Sequence, residues 1–220
     1  MDTLKFIADR WKLDLAKPSP ILIRISRFKS FIVLLKDLGF KEGAEIGVCT
    51  GRYSLYLVNN IPGLRLHCVD PWEPYSDYVE QHSESDRVNM QNGFELTKSR
   101  LKGFDCNFIR KYSMDAVKNI PDGSLDFVFI DGNHSFRYVI DDIDEWTKKV
   151  RSGGLIAGHD YFNSIDLPEG SQWKKEMSKN ERIKICQVRD AVDAWTKANH
   201  IKPWFCIDGD KCPSFFWVRQ

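Results

Sequence analysis

Two short apolar runs that end in the same chemistry constrain this chain more than any other feature. Leu125–Ile130 leads into Asp131-Gly132-Asn133-His134, and Gly153-Gly154-Leu155-Ile156-Ala157-Gly158 leads into His159-Asp160. A short apolar run bounded by turn residues reads as a strand buried on both faces. The intervening stretch, 135–150, has helix length and contains neither Gly nor Pro. Strand, helix, strand puts both tips at the carboxyl edge of a parallel sheet, where open α/β folds bind their ligands. Neighbouring strands lie ~4.8 Å apart, close enough for Asp131 and Asp160 to share one cation.

The rest of the chain repeats the alternation. Strands are expected at 44–48, 64–69 and 106–110, and helices at 52–60, 85–101 and 114–119. Such a succession argues for an α/β fold, with a mostly parallel sheet, right-handed crossovers and helices on both faces. After a helix at 188–199, the runs 204–207 and 214–218 surround Gly209 and read as an antiparallel hairpin closing one edge of the sheet. Residues 3–38 read as two amphipathic helices broken at Pro18-Ser19-Pro20, a helical cap over 1–40 on a core of 41–220. The whole chain reads as one domain, 1–220. The polar stretch 161–186, with Lys174, Lys175 and Lys179, reads as a loop or lid near the carboxyl edge.

Composition narrows the partners. The 220 residues carry 32 Lys and Arg against 31 Asp and Glu, a net charge of +1, so nothing draws the chain broadly to nucleic acid or anionic lipid. No apolar stretch is long enough to span a membrane, and the N-terminus lacks a signal peptide's apolar core. The six cysteines have no CxxC spacing, which suits a reduced, cytoplasmic protein; only Cys206 and Cys212, across Asp208-Gly209-Asp210, are placed to pair in an oxidising compartment. A small-molecule substrate is expected.

Glu45-Ile46-Gly47-Val48-Cys49-Thr50-Gly51 ends the first core strand and opens a helix. Glycines there let the backbone turn tightly and approach a ligand. The spacing is not the GxGxxG dinucleotide fingerprint, which argues against an NAD-linked oxidoreductase. Asp70 closes the next strand, where an acid hydrogen-bonds ribose hydroxyls. Trp72, between Pro71 and Pro74, suits either ligand stacking or loop packing. Singly, Asp131 is also an ordinary helix cap, Asp160 a loop opener and His134 a turn histidine. Jointly, at adjoining strand ends, they point to a site.

The pattern Glu45-x-Gly47-x-x-x-Gly51, then Asp70, then the Asp131–His134 and His159–Asp160 blocks resembles the class I S-adenosylmethionine-dependent methyltransferases. Within them it is most similar to the metal-dependent O-methyltransferases that include catechol and macrolide-sugar enzymes. The resemblance covers about residues 40 to 220 and implies a Rossmann-like, seven-stranded sheet whose last strand is antiparallel. It implies that Gly47 and Gly51 hold the methionine part of S-adenosylmethionine with Glu45 near its ammonium. By the same resemblance Asp70 binds the ribose, Trp72 lies against the adenine, and Ser113 and Met114 touch that base. Asp131, His159 and Asp160 form the metal set, with Mg²⁺ the expected ion, although an imidazole at 159 favours a transition metal. His134 is the expected general base, with Asp131 beside it. A small-molecule or sugar hydroxyl is the expected acceptor, and the aromatics Trp72, Tyr75 and Tyr78, with His82, lie where it is chosen. A metal-independent methyltransferase and a non-catalytic S-adenosylmethionine-binding protein are the alternatives. A homo-oligomer is among the states left open.

Overall fold

Apolar alternation along the central strands decides how the layers form. In β5 (Leu125–Ile130) the side chains of Phe127 and Phe129 point to one face, and those of Val128 and Ile130 to the other; all four are buried. A strand wet on neither face must sit mid-sheet. It lies between β2 (Glu42–Ile46) and β6 (Val150–Gly158), parallel to both. The computed structural model describes residues 2–75, 84–167 and 186–220.

Beyond β2 come β3 (Arg65–Val69) and β4 (Cys106–Ile109), also parallel. On the other side are β7 (Phe205–Ile207), β8 (Ser214–Val218) and β1 (Ile21–Ile23). The eight strands found among the described residues run β1-β7-β8-β6-β5-β2-β3-β4. Among the described residues only β8 is antiparallel, pairing with β6 on one side and β7 on the other. The antiparallel last strand is as expected. The hairpin does not close an edge, however, because β8 is inserted and β1 pairs parallel with β7 outside it. Helical periodicity misses β1, since three apolar residues between Pro20 and Arg24 form too short a run to be read alone. It is this strand that makes eight where seven were expected.

Helices cover both faces. One carries α6 (Phe136–Lys149) and α7 (Val188–Ala198). Val139, Ile143 and Trp146 recur at helical spacing on α6, as do Val188, Ala191, Val192 and Trp195 on α7; these stripes are buried. The short α5 (Ser113–Ala116) packs beside them. The other face carries α1 (Thr3–Trp11), α2 (Ile32–Asp37) and α3 (Arg52–Asn60), with Ile7, Phe31, Leu34, Leu35 and Leu57 buried. A π-helical turn over Arg27–Phe31 precedes α2. The segment before residue 40 is therefore part of the core, in addition to capping it. Helix α4 (Glu84–Arg100) spans the way from β3 to β4.

All six cysteines are free, Cys206 and Cys212 included. Among the described residues no helix is long and apolar enough to cross a membrane. Tyr78 and His82, and Lys174, Lys175 and Lys179 of the expected lid, lie outside the described residues.

Candidate active site

The turn from β2 into α3 runs through the left-handed region, with φ of 88° at Gly47, 53° at Cys49 and 70° at Gly51. A Cβ on Gly47 would run into the backbone carbonyl of Asp131. Only glycine lets the ends of β2 and β5 lie this close. The turn is held from several sides. Cys49 N–H donates to Asp70 Oδ2 at 2.8 Å, and Trp72 N–H donates to Asp70 Oδ1 at 2.6 Å. Burial pushes the Asp70 carboxyl up, against the pull of these amides. Trp72 Nε1 donates to the Cys49 carbonyl at 2.7 Å, and Thr97 donates to the same oxygen at 3.2 Å. Arg100 donates to the Thr50 carbonyl at 2.6 Å.

Below this turn opens a cavity of about 530 Å³, lined among others by Gly47, Asp70, Trp72, Ser113, Asp131 and Gly132. That is the size of a small-molecule site. Trp72 is buried in its wall, its ring 4.7 Å from that of Phe94. Ser113 donates to Asp142 and accepts from Trp146 Nε1 at 2.8 Å. Met114 is set apart from this cavity and lines a neighbouring one of about 350 Å³ with Tyr75 and Tyr138. Glu45 is also set apart. It lies one layer below the turn, 2% exposed, and accepts from the Ser54 hydroxyl. Burial pushes its carboxyl up to about 8, and pushes that of Asp142 up to about 7.

At the carboxyl edge β5 and β6 deliver the second group. One ligating atom from each of Asp131, His134 and Asp160 lies within 4.8 Å of the others. His134 Nε2 is 3.4 Å from Asp131 Oδ1 and 3.6 Å from Asp160 Oδ2. His159 Nδ1 is 3.0 Å from Asp160 Oδ1 and 3.5 Å from Asp131 Oδ1. Its other nitrogen, Nε2, meets the guanidinium of Arg27. The set brought together for a cation thus takes its imidazole from His134, whereas His159, expected as the third ligand, is turned so that one nitrogen faces an arginine. Burial pushes the Asp131 carboxyl up, but the imidazoles of His134 and His159 overcome it and hold it below the usual carboxylate range. For His159, burial pulls the ring down while Asp131 and Asp160 raise it further. Two carboxylates and an imidazole fit a divalent cation, with oxygen donors suiting Mg²⁺ and the nitrogen extending the choice to Mn²⁺.

Arg27, Ser54, Thr97, Arg100 and Asp142 were not anticipated. All but Ser54, nine residues from Glu45, act across a long sequence separation, and none belongs to a short motif.

Residues 44–161 match the methyltransferase domain family, a span of more than half the chain. An uncharacterized protein, R132, from Acanthamoeba polyphaga mimivirus is 35% identical over 69 residues, 29% of this chain. The matched segment spans about a third, 31%, of that curated relative's length. Among solved structures, a candidate caffeoyl-CoA O-methyltransferase from Staphylococcus aureus superposes with a TM-score of 0.60 at 15% identity, covering 99% of this chain and 90% of that one. The O-methyltransferase TomG from Streptomyces achromogenes, involved in tomaymycin synthesis and solved with S-adenosylmethionine, gives 0.58 at 15% identity over 100% and 91% of the two chains. The shared architecture is the class I S-adenosylmethionine-dependent methyltransferase fold. The chain belongs to the methyltransferase domain family.

Proposed function

We propose that the chain transfers a methyl group from S-adenosylmethionine to the hydroxyl of a small molecule or sugar, assisted by a divalent cation, with Mg²⁺ the expected ion. One observation carries this reading: Asp131 belongs both to the cavity under the glycine turn and to the Asp131-His134-Asp160 cluster. A methyl donor held in the first would therefore lie beside a hydroxyl held at the second. S-adenosylmethionine supplies an electrophilic sulfonium methyl, and a divalent cation makes a coordinated hydroxyl more acidic.

The chain's own residues do the rest. Gly47 shapes the wall for the methionine part, while Gly51, outside that lining, closes the turn against Thr97 and Glu45 supports the turn from below. Asp70 has lone pairs left for ribose hydroxyls beyond the two amides it accepts. Trp72 and Ser113 flank the expected adenine position, and Met114 lies just beyond it. Asp131 and Asp160 offer hard oxygens to the cation. His134 takes the hydroxyl proton as an oxygen–carbon bond forms and a sulfur–carbon bond breaks. That TomG was solved with S-adenosylmethionine supports the choice of cofactor.

The test combines calorimetry with S-adenosylmethionine and turnover on a panel of sugar and phenol hydroxyls, with Mg²⁺ or with EDTA. His134→Ala should keep cofactor affinity and lower kcat by about 10²–10⁴-fold. Undiminished turnover in that variant removes the base from His134. Turnover indifferent to EDTA favours the metal-independent alternative, and tight cofactor binding without product across the panel favours a binding protein. The cluster geometry also supports a second reading, in which His134 is the ion's third ligand. His134→Ala then loses Mg²⁺ affinity along with turnover, whereas a pure base leaves that affinity intact.

A further inference from the structure

We propose that Arg27 is a positioning residue of the cation site: it fixes His159 as the Nδ1–H tautomer, so that His159 donates to both Asp131 and Asp160 instead of ligating the ion. The inference rests on the cation reading of the cluster.

Arg27 reaches the carboxyl edge from the segment before α2, and it is anchored there. Its backbone N–H donates to Asp210 Oδ2 at 2.7 Å, across the connection between β7 and β8. Its guanidinium lies 4.4 Å from the Phe28 ring centroid and 5.7 Å from that of Tyr53. Aromatic faces on which a cation rests restrict its swing. From this position Nη1 meets His159 Nε2, while the buried Nε has no partner among the described residues.

A guanidinium only donates, and it stays charged. The ring nitrogen facing it must therefore hold the lone pair, and the ring proton must be on Nδ1. Which nitrogen of a histidine is protonated is set by the bond the other makes. With the proton on Nδ1, the distances of 3.0 Å to Asp160 Oδ1 and 3.5 Å to Asp131 Oδ1 become donation to both carboxylates. His159 thereby braces the two carboxylates that, with His134, form the cluster. Partners of this kind, one step removed from a metal, orient the ligands that touch it.

The test uses the full chain, ¹⁵N-labelled at histidine, in the wild type and in Arg27→Met, Arg27→Lys, His159→Asn and Arg27→Met/His159→Asn. Ring-nitrogen NMR spectra should show His159 protonated at Nδ1 in the wild type, and no longer held so in Arg27→Met. Arg27→Lys keeps a donor and should keep the tautomer. Calorimetric titration with Mg²⁺ and with Mn²⁺ should show Arg27→Met weakened about tenfold or more. The amide of His159→Asn can donate to the carboxylates without Arg27, so in that background Arg27→Met should change affinity by less than about twofold. A wild-type His159 protonated at Nε2 overturns the proposal, a result that needs no variant to fold. Equal losses of affinity from Arg27→Met in the wild-type and His159→Asn backgrounds overturn it as well. If the wild type binds neither ion, the cation reading fails and takes the orienting role with it; the tautomer spectrum then still decides whether Arg27 sets the ring.

Discussion

Glu45 is expected from its spacing beside the glycine turn, but it acts at a depth the spacing does not disclose. Sealed beneath the turn with Ser54 as its donor, it keeps a proton up to about pH 8 that an unfolded carboxyl releases near 4.5. Between those values the native state binds the extra proton, so stability falls as pH rises and levels off above about 8. Glu45→Gln keeps the shape and removes the ionisation. It should match the wild type below pH 4.5 and exceed it at pH 9 by on the order of 5 kcal/mol in urea unfolding. Parallel pH profiles for the two proteins would show that Glu45 is not the group responsible. Asp131, His134, His159 and Asp160 were legible because each stands at the end of an apolar run, where the sheet releases its polar residues. Arg27 was not, because nothing near it in sequence signals a partner at His159.

At the scale of elements, the β2–α3 turn and the segment before residue 40 carry the strongest expectations. Gly47→Ala forces a side chain into a φ of 88° and against the Asp131 carbonyl. A loss of about 3 kcal/mol or more is expected in denaturant unfolding. A loss below about 1 kcal/mol would mean that the turn relaxes freely, and would weaken the case for a rigid site. Phe31 is 1% exposed and lies 5.2 Å from the Phe216 ring of β8. Phe31→Ala should cost about 3–5 kcal/mol, as for any large core truncation. An effect near zero would return the segment to the status of a detachable cap. Strands β5 and β6 were legible as apolar runs bounded by turn residues, and α6 as a helix-length stretch without Gly or Pro. Strand β1 was not, since its place depends on β7 offering a free edge, a tertiary fact.

For the molecule as a whole, the proposed cofactor is also a stability probe. S-adenosylhomocysteine at a hundred times its Kd should add about 2.7 kcal/mol. The melting temperature should then rise by roughly 5–10 °C in a chain of this size. No shift at saturating concentration would count against the cavity as the cofactor site.

Sheet order carries a consequence for kinetics. Ile21 pairs with Phe205, and Phe205 with Phe216, which in turn lies opposite Ala157. The β1–β7 pairing therefore joins segments separated by most of the sequence, while β5 and β6 meet across a single helix. Closing so large a loop is entropically slow, and distant pairings form late. The β5–β6 unit with its acidic tips can assemble early, but β1, which leads into the turn bearing Arg27, is among the last to dock, so refolding regains sheet before it regains the arranged site.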